Sequence, residues 1–158
     1  MINTIETILQ EKDLNYNVIH NRPHQRVLRM GFTLENGRCD TIIDIRTGTN
    51  TVLIYCLLPI MVPANHRQRI AEFITRANYS IILGNFEMDF NDGEVRYKNA
   101  FIYDEYQEIS DEAFLRYLFT SLHTLDIYLP GFMAVIYGGV IPLQAISTIE
   151  GKTDPTKN

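Results

Sequence analysis

The feature that most constrains this chain is a hairpin signal that runs directly into the signal for a long leucine-rich helix. The turn dipeptide Asp92-Gly93 separates two runs of alternating apolar and polar residues. Ser110 then stands as a helix N-cap before two acidic residues and a series of leucines at intervals of three and four. The fold must therefore pack a long helix against an antiparallel sheet.

An earlier hairpin is predicted around a two-residue Asn-Gly turn at 36–37. The register that this turn imposes puts Arg29 opposite Asp44 on a polar face, and the apolar residues meet on the other face. The later hairpin repeats the arrangement, with Asp89 opposite Arg96. Both hairpins thus predict one core face and one charged face for the sheet.

The strand predicted over 51–58 differs because it is apolar on both faces. One alternate set joins the core, and the other set, Leu53, Tyr55 and Leu57, lies on the otherwise charged face beside Ile42. Four contiguous apolar side chains there indicate a partner-binding or dimer surface. The alternative is that the first or the C-terminal helix covers them, and the sequence leaves both interpretations open.

Prolines set further boundaries. A loop is predicted from the end of the first helix near Asp13 through Pro23, so no strand is expected there. Pro59 is expected to end the strand that begins at Thr51, since proline cannot donate to a ladder of hydrogen bonds.

The elements together predict an α+β fold: a single domain over 1–150 with an antiparallel five-stranded sheet, in the order α-β-β-β-α-β-β-α, with a short last helix. Residues 151–158 are predicted to be a disordered tail. Pro130 should kink or split the long helix, and Gly138 with Gly139 should cap it. The leucine series is interpreted as a core seam and not as a coiled coil.

Composition argues against several functional classes. The formal net charge is −5, near +2 over residues 1–79 and near −7 over 80–158, which argues against a general nucleic-acid binder. No apolar run approaches a membrane span and no secretory signal is recognised, so a cytoplasmic protein is expected. Cys39 and Cys56 are expected to be buried core thiols.

The candidates for chemistry are few. His20 and His24 have the spacing of a helical metal pair, but Pro23 between them disfavours a helix. No catalytic or metal constellation is found, and no cofactor is predicted. The alternative function is an enzyme or small-ligand binder, with a pocket near Arg22, His24 and Arg26.

Parts of the chain resemble the YbjN domain family of bacterial proteins, which are described as sensory transduction regulators. The resemblance rests on NFEMDFNDGEVRY from Asn85, SDEAFL from Ser110, TLDIYLPGFMAVIYGG from Thr124 and PLQAI from Pro142. The structural residues of this pattern are Asn85, Asp92, Gly93, Pro130, Gly138 and Gly139.

The resemblance implies a fold similar to that of type III secretion chaperones, which are small, acidic, usually homodimeric cytoplasmic proteins that hold partner segments in extended form. We therefore expect a non-enzymatic, chaperone-like protein-binding or regulatory module that forms a homodimer. The kinked long helix and the added last helix depart from those chaperones, and either could cover the surface that they use.

Overall fold

The chain folds as a six-stranded antiparallel sheet with four helices in a computed structural model, which describes residues 1–104 and 109–153. The strands are β1 (Asn17–Arg22), β2 (Gln25–Thr33), β3 (Arg38–Arg46), β4 (Thr51–Met61), β5 (Asn85–Met88) and β6 (Glu94–Ile102). The helices are α1 (Ile2–Glu11), α2 (Arg67–Ser80), α3 (Asp111–Ile136) and α4 (Pro142–Thr153), and a 3-10 turn (Ala64–His66) precedes α2. The strand order across the sheet is β1-β2-β3-β4-β6-β5. The α+β class is confirmed.

The predicted strand count of five is wrong, because β1 replaces the predicted loop. All six residues of β1 are exposed, so the sequence lacks the alternation of apolar and polar residues that indicates a half-buried strand. Along the chain, four strands therefore precede α2 and two follow it.

Two further boundaries differ from the prediction. Pro59 does not end β4, which continues to Met61 because an irregularity in the pairing with β6 between Leu57 and Met61 accommodates the missing N–H. The last helix continues to Thr153, three residues into the predicted tail. Residues 154–158 lie outside the described part of the chain.

The core lies on one side of the sheet, between the inward side chains of the strands and the helices. The inward set of β4 is fully buried as predicted: Val52, Ile54, Cys56 and Leu58. The leucine seam of α3 belongs to the same cluster, which confirms that it is core. By length and composition alone α3 would pass as a membrane-spanning helix, but half of that stretch is buried inside the fold. Helix α3 continues through Pro130, and Gly139 follows its end with φ 67°.

Both hairpins have the predicted faces, but their registers differ from the prediction by two residues. In the first hairpin Thr33 pairs with Arg38, and Arg29 pairs with Ile42 and not with Asp44. Residues 34–37 therefore form a four-residue loop instead of a two-residue turn. A shift of two positions keeps every side chain on its face, because side chains alternate with a period of two.

The wider loop is explained by its attachment to α3. The carboxylate of Asp126 accepts hydrogen bonds from the backbone N–H groups of Glu35 (3.2 Å) and Asn36 (2.8 Å). Pro130 has no N–H to give to the carbonyl of Asp126, and the Asn36 side-chain amide donates to that carbonyl instead, at 3.2 Å. The loop is thus fixed by a helix and not by its own turn preference.

The second hairpin is widened in the same way. Met88 pairs with Val95, so residues 89–93 form the loop. Arg67 of α2 donates to two carbonyls of this loop, at 2.7 and 3.3 Å, and the N–H of Val62 donates to a third at 2.9 Å. Contacts with other elements again override the local preference of the Asp-Gly dipeptide.

We expect Gly131→Ala to lower the free energy of unfolding by about 1–3 kcal/mol, because a methyl group there overpacks the core. A Cβ on Gly131 would lie 2.5 Å from Cδ1 of Ile149 and 2.7 Å from Cζ of Phe73. The matched control is Gly151→Ala in α4, where a Cβ would meet no atom within 4 Å. That change should leave stability unaltered or raise it by up to about 1 kcal/mol. Urea denaturation measures both, and equal stability of the two variants would contradict the packing argument.

Candidate functional site

The face of the sheet opposite to the helices, here called the outer face, carries the four predicted site residues side by side. Ile42 on β3 pairs directly with Tyr55 on β4, and Leu53 and Leu57 lie two residues to either side of Tyr55. All four are half-buried. We call this group the outer stripe.

No helix of the described chain buries an apolar side chain against the outer stripe. Every buried apolar residue of the four helices belongs to the core cluster, and the outer stripe residues do not. The helix α4, which could have covered this face, packs instead along α2 and α3. Of the two interpretations of these residues, the described structure therefore favours an uncovered surface.

The apolar area extends beyond the predicted residues. Ala100 of β6 lies opposite Leu53, and the buried Val27 of β2 lies in the same row beyond Asp44. Ile102, at the end of β6, is 82% exposed. Ala100 and Ile102 could not be recognised from the sequence as neighbours of the stripe, because the register between β4 and β6 joins two separate hairpins.

Paired charges border the outer stripe on the side of β2 and β3. Arg29 forms an ion pair with Asp40. Asp44 is buried and accepts from Arg46 at 2.7 Å and from Gln25 at 2.9 Å. The hydrogen bond and the negative charge of Asp44 raise the pKa of Arg46. The positive charge of Arg46 and the hydrogen bond from Gln25 compensate the Asp44 carboxylate, so it can be buried beside apolar neighbours.

A second set of paired charges borders the stripe on the side of β5 and β6. Glu87 accepts from Arg96 at 2.6 Å and from Lys98 at 2.5 Å, so the predicted partner of Arg96, Asp89, is replaced by Glu87. The Arg96 guanidinium also lies 4.4 Å from the centre of the Tyr55 ring. Burial raises the pKa of the Glu87 carboxyl, but the hydrogen bonds from Lys98 and Arg96 outweigh that effect and hold the pKa below its ordinary value.

The outer face thus has an apolar centre and a charged border, which is the arrangement found in protein–protein interfaces. Six strands at about 4.8 Å spacing and about 30 Å length would give a face on the order of 800 Å². That is about the area that each partner contributes to an interface of standard size. The border charges are already paired within the chain, so they would present fixed charges of both signs to a partner.

The predicted basic cluster does not converge on one pocket. Arg26 points to the core side of the sheet and binds Glu6 of α1 at 2.9 Å. Arg22 and His24 border an open depression of about 460 Å³ at the turn between β1 and β2. His20 and His24 lie on a strand and its turn, not on a helix. Among the described residues, no three His, Cys, Asp or Glu side chains come together as a possible metal site.

Cys39 and Cys56 are buried on the core side, as predicted. The Thr41 hydroxyl lies between them, 3.5 Å from the Cys39 sulfur and 3.7 Å from the Cys56 sulfur. The hydrogen bond with Cys39 and burial raise the pKa of Cys56, whereas the hydrogen bond with Cys56 lowers the pKa of Cys39. Both thiols are buried, so the pair packs in the core.

The residues of the family-like pattern hold turns and helix ends. Asp92 accepts the N–H of Glu94 at 2.8 Å within the second hairpin loop. Gly93 has φ 89°, and a Cβ there would lie 2.2 Å from the carbonyl oxygen of Val62. Only glycine fits at that position, because both the backbone angle and the space exclude a side chain.

Comparison with known proteins agrees with this description. A family model named YbjN, with the description "Putative bacterial sensory transduction regulator", matches residues 2–133. Among solved structures, the crystal structure of YbjN from E. coli, which bears the words "a putative transcription regulator", is similar with a TM-score of 0.60 and 14% sequence identity. The likeness covers 88% of this chain and 91% of that chain, and at this identity it concerns the fold alone. No curated protein sequence matches the chain.

We expect Glu87→Gln to lower the free energy of unfolding by about 0.5–1 kcal/mol at neutral pH, the range of a partly exposed ion pair. Because the pKa of Glu87 is lowered in the folded state, its contribution is present above the ordinary carboxyl range, about pH 4, and is lost as the pH falls through the folded pKa. The difference between wild type and variant should therefore shrink on acidification. Glu94→Gln is the control, since the Glu94 oxygen lies 3.8 Å from Arg96. Stability curves against pH that run parallel for wild type and Glu87→Gln would contradict this account.

Proposed function

The chain belongs to the YbjN family, whose members are described as bacterial sensory transduction regulators, and from that premise we propose that it is a non-enzymatic regulatory module that binds a protein partner through its outer face. The outer stripe is the observation that carries the proposal. A regulator without a reaction of its own must act by contact, and this face offers the contact surface.

The energetics of the outer stripe support binding. Its four side chains are only half-buried in the free protein, so a partner that covers them removes further apolar area from water. Each additional 100 Å² of buried apolar area contributes about 2.5 kcal/mol. Several hundred Å² would offset the cost of association, which is on the order of 4–15 kcal/mol. The paired border charges would add selectivity, since a partner must match charges of both signs.

The chemistry of the face also supports a particular kind of partner. Tyr55 with Arg96 above its ring suits an apolar or aromatic side chain at the centre, and the ion pairs on both sides suit charged residues that flank it. A chaperone-like module that holds an extended segment of its partner across β3 and β4 fits this description. The two buried thiols are compatible with the reducing conditions of the cytoplasm, which we propose as its location.

The test is affinity capture from a bacterial lysate, quantified by mass spectrometry, with wild type, the double variant Tyr55→Asp/Leu57→Asp and the control Tyr79→Asp. Tyr79 lies on α2 and is 95% exposed, so the control adds a charge to the surface without touching the outer face. We expect a partner retained by wild type and control but lost from the double variant. With the purified partner, calorimetry should show at least about a tenfold loss of affinity, as for an interface hot spot.

The double variant should keep its fold, because neither side chain belongs to the core cluster. Circular dichroism and the melting temperature check this point. The proposal is wrong if every protein captured by the wild type binds the folded double variant equally well.

A further inference from the structure

The two edges of the sheet differ in how their free backbone groups are satisfied. At the β5 edge, the side-chain amide of Asn78 on α2 donates to the carbonyl of Phe86 at 3.0 Å and accepts the N–H of Phe86 at 2.8 Å. One side chain thus takes the place of a neighbouring strand. Since β5 has only four residues, this contact closes the edge against strand addition.

The β1 edge has no such closure. All six of its residues are exposed, and Val18 and Ile19 are 46% and 48% exposed. Among the hydrogen bonds of the described residues, no side chain caps the free backbone groups of β1. The strand holds no lysine and no proline, and its single formally charged residue, Arg22, lies at its end. Apart from a bulge at Ile19, the devices that protect an edge strand are missing.

We propose that β1 pairs antiparallel with β1 of a second copy of this chain, so that the two sheets form one continuous sheet of twelve strands. Antiparallel pairing of a strand with itself brings the Arg22 end of one copy to the Asn17 end of the other, so like charges do not meet. In this register Ile19 of each copy lies at the middle of the contact opposite His20 of the other, and Val18 lies opposite Asn21, so both apolar side chains lose exposed area.

The identity of the partner follows from the asymmetry of the edges. Pairing through β1 uses the β1 edge of each copy, and at the opposite edge Asn78 occupies the backbone groups of Phe86 in the four-residue β5. The assembly therefore stops at two copies with two-fold symmetry and does not continue into a fibre. A sheet with two open edges would have no such limit.

The test is the mass in solution, by light scattering across a dilution series, of wild type and two variants at one position. Ile19 has no pairing partner in β2, so Ile19→Pro disturbs the ladder within the monomer least while it blocks an added strand. Ile19→Thr is the matched control, because it keeps the N–H and the β-branched shape. We expect twice 18.3 kDa for wild type and Ile19→Thr, and 18.3 kDa for Ile19→Pro.

A wild type that stays monomeric at all concentrations, or a folded Ile19→Pro variant that stays dimeric, overturns the proposal. Loss of the dimer in Ile19→Thr as well overturns backbone pairing. If Ile19→Pro fails to fold, amide hydrogen exchange of the wild type decides: protection in β1 must rise with protein concentration while protection in β5 does not. The inference does not rest on the proposed function, since Tyr55→Asp/Leu57→Asp should leave the dimer mass unchanged.

Discussion

The arrangement of the sheet and its helices depends on a contact between α3 and the first hairpin loop, which Pro130 makes possible. Pro130 leaves the carbonyl of Asp126 without its helical donor, and Asn36 from the first hairpin supplies the missing hydrogen bond. The carboxylate of Asp126 in turn accepts hydrogen bonds from two backbone N–H groups of the same loop. Helix and hairpin thus satisfy each other's free hydrogen-bonding groups. The next residue, Gly131, leaves room for Phe73 of α2 and Ile149 of α4. One proline–glycine pair therefore positions three helices on one side of the sheet and leaves the outer face uncovered.

The same contact between α3 and the hairpin loop shows which parts of the fold could be predicted from the sequence. The faces of strands follow from a local period of two and those of helices from a period of 3.6, so the predictions of the core residues of β4 and of α3 are confirmed. The hairpin registers depend on contacts with distant residues, 90 positions apart for Asn36 and Asp126 and 23 positions apart for Arg67 and Phe90, and turn preference alone could not reveal them. The missed strand β1 is the opposite case, because six exposed residues leave no periodic signal.

The outer stripe was predictable because the turn at residues 47–50 is tight. It sets Ile42 directly opposite Tyr55, and the alternation along β4 then places Leu53 and Leu57 on the same face. The charges around the stripe were predicted to lie on this face but with other partners, since both hairpins are shifted by two residues. Asp44 was expected to pair with Arg29 and instead binds Arg46 and Gln25, which moves the charge but not the face. A local pattern can thus identify such a surface while the pairing of its charges needs the full fold.

The two proposed contacts use different parts of the sheet and would act together. Antiparallel pairing through β1 requires a two-fold axis perpendicular to the sheet, and such an axis makes the two outer faces one continuous face, which turns with the sheet twist of about 20–25° per strand. The strands β4 of the two copies would then be separated by seven strand spacings, roughly 34 Å at about 4.8 Å each. A partner that presents two suitable segments at that distance would bind both outer stripes, and the second contact would form at the high effective concentration set by the first. A partner that follows the turn of this continuous face can therefore be held more tightly by the two stripes together than by either half-buried stripe alone.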